Sequence, residues 1–254
     1  MFIPVLTLDD VISNDFYKKQ KKLIDDAFKN SDTKAIAVII NSPGGSPVQS
    51  ELIYKRIRSL AKEKDVRILT FIEDVGASGG YMVALVGDEI YASACSIVGS
   101  IGVISSGFGL HEFIKRHGIE RRVYAQGENK GLLDPFLPQR EEDVEILNAV
   151  GKDVHTEFIN LVKERRGDKL VCSPADLFTG KIWSGRKAAE IGLIDGIGDI
   201  HSVLESKYGK NIELKYITES KTLLGALRSG LGIIWSFVNY IQMYAGVGIS
   251  MLMP

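Results

Sequence analysis

Early in the chain an uninterrupted apolar run, Ala35–Ile40 (AIAVII), stops at Asn41-Ser42-Pro43-Gly44-Gly45. A short run without polar alternation reads as a strand covered on both faces, the situation of a sheet flanked by helices. Proline followed by two glycines ends any regular element. Ser46-Pro47-Val48-Gln49 then has the form of an N-cap, a first-turn proline and a capping-box glutamine. Val48, Leu52, Ile53, Ile57 and Leu60 extend one apolar face of the helix that follows.

The same strand-turn-helix unit recurs. Val66–Ile72 is expected as a second strand, Glu73–Gly76 as a turn, and Ser78–Val86 as a short helix. Glu89–Ala92 and Ile101–Ser105 read as further strands. Pro138–Arg166 is the longest helical stretch, with Leu147, Val150, Val154, Phe158 and Leu161 on one face and Gly167 as its stop. Gly185–Gly196 and Asp199–Tyr208 read as two smaller helices around a GLID turn. This alternation predicts an α/β fold. No linker rich in Pro, Ser or charge divides it, so one compact domain is expected over residues 1–217, followed by a tail over 218–254.

The two ends bear on location. The N-terminus, MFIPVLTLDD, lacks a basic n-region and is broken by Pro4, so no signal peptide or anchor is expected in it. From Ser229 to Pro254 the tail carries no charge, an uncharged length that meets the criterion for a membrane-span candidate. Ser236, Asn239, Tyr240 and Met243, however, put a largely polar stripe on it. The tail is therefore expected to dock at an oligomer interface, fill a groove, or contact a membrane. The expected location is cytoplasmic or membrane-associated.

Composition removes whole classes of function. Lys plus Arg number 31 against 32 Asp plus Glu, a net charge of −1, which argues against nucleic acid as a partner. Cys95 and Cys172 are too few for a disulfide framework or a structural zinc site. There is no phosphate loop and no dinucleotide fingerprint. His111-Glu112 is followed by His117 at the wrong spacing for a zinc helix. No cofactor and no metal are expected.

The chemistry concentrates in two turns. Gly76-Ala77-Ser78-Gly79-Gly80 matches G-x-S-x-G between a strand and a helix, which places a serine hydroxyl and the following amide at a helix start. Asn41–Gly45 is a second turn whose backbone N–H groups could approach an oxyanion. A nucleophilic Ser78 needs a base. Chain order permits a triad of Ser78, Asp195 and His201, and Lys130 in Gly127–Gly131 is the other candidate. Spacing does not choose between them.

Four segments together carry a resemblance: INSPGGSPVQS (Ile40–Ser50), EDVGASGGY (Glu73–Tyr81), SIVGSIGV (Ser96–Val103) and GENKGLLDPF (Gly127–Phe136). In this order they resemble the signal peptide peptidase A family, serine peptidases of the Clp protease/crotonase fold with its repeated β-β-α units. The resemblance runs from Ile36 to Gly198. It implies Ser78 as nucleophile, Lys130 as general base in a Ser/Lys dyad, and an oxyanion hole from the amides of Gly44 (Gly45 as second choice) and Gly79. It further implies peptide substrates, signal peptide remnants first among them, and a homo-oligomer. His201 lies outside every matched motif. The rival readings are the Ser78/Asp195/His201 hydrolase, a crotonase-like acyl-thioester enzyme that stabilises an enolate with Ser78 incidental, and a non-catalytic membrane-associated scaffold.

Overall fold

The Ala35–Ile40 run forms the middle of a mostly parallel sheet in a computed structural model that describes residues 1–30, 33–171 and 173–218. In chain order the elements are β1 (Phe2–Asp9), α1 (Asn14–Ala27), β2 (Ala35–Ser42), α2 (Pro47–Lys64), β3 (Arg67–Ala77), α3 (Gly79–Ala84), β4 (Glu89–Ala92) and β5 (Ile97–Gly99). There follow α4 (His111–Arg116), α5 (Glu141–Arg166), α6 (Pro174–Leu177), β6 (Ile182–Ser184), α7 (Gly185–Glu190), β7 (Gly196–Ile197), α8 (Ile200–Tyr208) and β8 (Glu213–Tyr216). The α/β expectation holds. The expected tail boundary at 217/218 stands at the edge of the described residues, and Ser229–Pro254 lies outside them.

The described residues fall into two units, one of residues 1–103 with 154–218, the other of residues 104–153. The first holds the sheet, in the order β6-β5-β3-β2-β1-β8, with β4 pairing β3 and β7. All pairings are parallel except β5 with β6. Both faces are covered, as a run without polar alternation requires. Ile36, Val38 and Ile40 of β2 join Leu6, Ile68, Ile53, Ile57 and Tyr81 in one core layer. Ala35, Ala37 and Ile39 join Ile3, Val5, Leu69, Phe71 and Leu204 in the other. The period of two along β2 thus feeds two cores at once.

Several local expectations need correction. The segment Glu73–Gly76, read as a turn, is extended: β3 runs to Ala77 because Val75, Gly76 and Ala77 pair with Ile97, Val98 and Gly99. That same pairing makes the strand Ile97–Gly99, not Ile101–Ser105. Ser46 does cap α2, accepting from Gln49 N at 3.4 Å. The capping box stays incomplete, because the Ser46 N–H already donates to Ile12 O at 2.8 Å and the Gln49 Oε1 is buried without a partner. On α2 the buried face is Ser50, Ile53, Tyr54, Ile57, Leu60 and Ala61, with Val48 and Leu52 exposed. On α5, Phe158 and Val162 are buried while Val150 is exposed.

The second unit contains α4 and the first half of α5, joined by a stretch of turns. Within it Arg121 holds Asp134 at 3.0 Å and lies 5.9 Å over the Phe136 ring. Ile104, Phe108, Phe113, Ile119 and Tyr124 are exposed there. No helix among the described residues is long and apolar enough to cross a membrane.

Candidate active site

β3 ends at Ala77, and the next residue, Ser78, has φ 52° and ψ −124°. A non-glycine residue in this region costs of order 1–3 kcal/mol and persists only where its surroundings over-determine it. Here they do. The Ser78 N–H donates to Gly99 O at 2.8 Å across the β3–β5 pair, and Ser78 O accepts from Met82 N at 3.0 Å as α3 begins. The sharp bend between strand and helix leaves the half-buried Ser78 side chain with no capping bond to α3. This is the backbone form in which a serine hydroxyl stands proud of a strand-to-helix turn.

The Asn41–Gly45 turn comes against this bend. Gly44 has φ +107°, and a Cβ there would lie 2.7 Å from Gly79 N and 2.8 Å from the Ser78 Cβ. Only a residue without a side chain permits that approach. The turn is pinned from the far side by Ile12, whose N–H donates to Gly44 O at 2.7 Å. So the backbones of Ser78, Gly44 and Gly79 come together. The Gly44 N–H, however, donates to Ser42 Oγ at 3.2 Å. The Gly45 and Gly79 N–H groups have no partner among the described residues.

Lys130 belongs to the second unit. It is exposed, in a turn closed by its N–H on Gly127 O at 3.1 Å, and its ammonium has no partner among the described residues.

The triad alternative loses its acid. Asp195 Oδ2 accepts from Arg166 Nη1 at 2.7 Å and from Ile90 N at 2.8 Å, and Oδ1 accepts from Lys169 Nζ at 2.6 Å. Burial pushes this carboxyl up, but the bonds from Lys169, Arg166 and the Ile90 amide outweigh it and hold it below its ordinary value. His201 sits exposed in the first turn of α8, its N–H bonded to the Asp199 cap at 2.9 Å. Helix α8 packs through Leu204 on the sheet face opposite to α3. Asp195 is a structural anion that ties the GLID turn to α5 and β4.

Arg166 is 2% exposed, so Asp195→Ala would leave a buried guanidinium uncompensated and is expected to cost about 3–5 kcal/mol in urea unfolding. Since the folded carboxyl is depressed, the pair stabilises above the unfolded carboxylate range, and that stability is lost as pH falls through the folded value. The mutant should lack this acid limb. A loss below about 1 kcal/mol would mean that Arg166 finds another anion.

Two residues near Ser78 escaped the sequence reading. Ser100 follows Gly99, the acceptor of the Ser78 N–H, and also has a left-handed backbone, φ 52°. Its segment SIVGSIGV was legible, but nothing in spacing singles out a strained serine. Ser42 was seen only as part of a turn. Among the described residues there is no group of three or more side chains that could hold a metal ion.

Comparison with known proteins adds the following. A model of Peptidase family S49 matches residues 60–212. The chain is 50% identical over 230 residues to a Brucella abortus protein named Na(+)/H(+) antiporter NhaA, covering 91% of this chain and 31% of that protein. It is 30% identical over 191 residues to an Enterococcus faecium protein with the provisional name signal peptide peptidase SppA, covering 75% of this chain and 54% of that one. It is 28% identical over 210 residues to serine protease SPPA, chloroplastic, of Arabidopsis thaliana, covering 78% and 30%. The chain thus spans 31% of the length of the first curated relatives it matches, and the antiporter name describes a protein of which the matched stretch is a minor part.

Proposed function

The chain belongs to peptidase family S49, the signal peptide peptidase A family, and from that premise we propose that it is a serine endopeptidase with Ser78 as nucleophile and Lys130 as general base. The observation that carries the reading is the strained backbone of Ser78 beside two unpartnered amides. An enolate-stabilising enzyme would need the amides but has no use for a strained serine.

In the proposed mechanism the free amine of Lys130 takes the Ser78 Oγ proton while Oγ attacks the peptide carbonyl. The oxyanion forms against the Gly79 amide and the turn amide, Gly45 as long as Gly44 stays on Ser42. The tetrahedral intermediate collapses, the leaving amine takes the proton from the lysine, and a water activated by the same amine releases the acyl-enzyme.

Apolar peptides, remnant signal peptides first among them, are the proposed substrates. A homo-oligomer is proposed as the working form, its contacts drawn from the apolar side chains exposed on the unit that carries Lys130, such as Phe108, Phe113 and Ile119. The uncharged tail is the proposed contact with a membrane.

A fluorophosphonate probe tests the reading directly. The expected outcome is a covalent adduct that peptide mapping locates at Ser78, formed in step with loss of peptide hydrolysis. A folded protein whose Ser78 stays unmodified at saturating probe would return the enolate reading.

A further inference from the structure

We propose that Ser42 is a positioning residue that decides which amides form the oxyanion hole; this rests on the peptidase reading above and deepens it. Ser42 is the last residue of β2, and its side chain is buried. Its Oγ accepts the Gly44 N–H at 3.2 Å, two residues on, which is the local bond by which a serine closes a turn on its own backbone. That bond removes the Gly44 donor from the site.

The rest of the turn is fixed by Ile12. Its N–H donates to Gly44 O at 2.7 Å and its carbonyl accepts from Ser46 N at 2.8 Å. The Gly44–Gly45 peptide is therefore held at its carbonyl end by Ile12, while Ser42 sets the peptide before it. What these bonds leave without a partner is the Gly45 N–H, on the side of Gly79: a Cβ on Gly79 would be 3.3 Å from Gly45 N. Two amides with no internal partner then stand next to Ser78 and can donate to one oxygen, at no cost of reorganisation during the reaction.

Without the Ser42 hydroxyl, the Gly44 N–H is a buried donor with no acceptor, and the turn can relieve this only by rotating peptides. The peptide set free is Pro43–Gly44, and its rotation turns the Gly44 N–H out of its bond and strains the Gly44–Gly45 peptide that Ile12 holds, so the pair of amides offered beside Ser78 changes. Because oxyanion donors act on charge that develops in the transition state, the loss belongs in kcat and not in KM.

Two measurements test this. In the first, Ser42→Ala is assayed with a fluorogenic apolar peptide, and kcat is expected to fall about 10- to 100-fold with KM within about 3-fold of wild type. Ser42→Thr keeps the hydroxyl and is expected to recover most of kcat. A kcat for Ser42→Ala within about 3-fold of wild type, or a loss carried by KM, overturns the proposal.

The second uses the wild-type protein and so survives any folding defect of the variants. A peptide boronate is bound to it and amide resonances are followed by nuclear magnetic resonance. The Gly45 and Gly79 amides are expected to shift strongly and the Gly44 amide to stay in place. A shift at Gly44 with none at Gly45 overturns the role of Ser42 but leaves the peptidase standing. Absence of any adduct at Ser78 would instead bring down the peptidase reading, and this inference with it.

Discussion

Ser78→Ala is expected to abolish peptide hydrolysis, lowering the rate by about 10,000-fold or more while leaving the protein folded. The size follows from the covalent catalysis proposed: without the hydroxyl no acyl-enzyme could form, and the adjacent amides would only polarise a carbonyl attacked by water. The fold is expected to survive because the change removes one oxygen from a half-buried side chain that makes no capping bond. The backbone adds a second, independent readout. At φ 52° and ψ −124° alanine is as strained as serine, whereas glycine is not. Ser78→Gly should therefore be inactive yet more stable than Ser78→Ala, by about 1 kcal/mol in thermal or urea unfolding. Full activity in Ser78→Ala would end the nucleophile assignment. Equal stability of the two variants would mean that the bend relaxes without its serine.

Lys130→Ala carries the second large effect, an expected fall of about 1,000-fold or more in kcat/KM. An alkyl ammonium in water is protonated at neutral pH, so a lysine base works only through the fraction present as free amine. Lys130→Arg should not restore activity, since guanidinium does not give up its proton in this range. A Lys130→Ala protein close to wild type would remove the lysine from the mechanism.

How far the sequence could be read depended on the range of the interactions involved. β2 was legible because its apolar run and the Pro-Gly-Gly stop are both local. The start of α2 was legible because Ser46 and Pro47 act on the next turn of backbone alone. The capping box failed where a distant partner intervened, since Ile12 O takes the Ser46 N–H that Gln49 would have needed. The extension of β3 through Glu73–Gly76 failed for the same reason. Glycine and acidic residues have turn propensity, and pairing with distant strands, β5 at Val75–Ala77 and β2 at Gly76, overrides it. Asp195 could be imagined as a triad acid until Arg166, Lys169 and the Ile90 amide were seen to use both its oxygens.

By itself, the order of residues determined the α/β pattern, the two glycine turns, and the presence of a serine and a lysine in motifs shared with a peptidase family. Each of these is a property of neighbours along the chain. The tertiary structure alone decided that Ser78 is held in a strained conformation, because the bonds that hold it come from Gly99 and the close approach of Gly44. It alone decided which amides are left without partners, because Ile12 and Ser42 reach the Gly44–Gly45 turn from different directions. Strain and unpaired donors are defined by what surrounds a residue in space, and that is fixed only when strands distant in sequence come to pair.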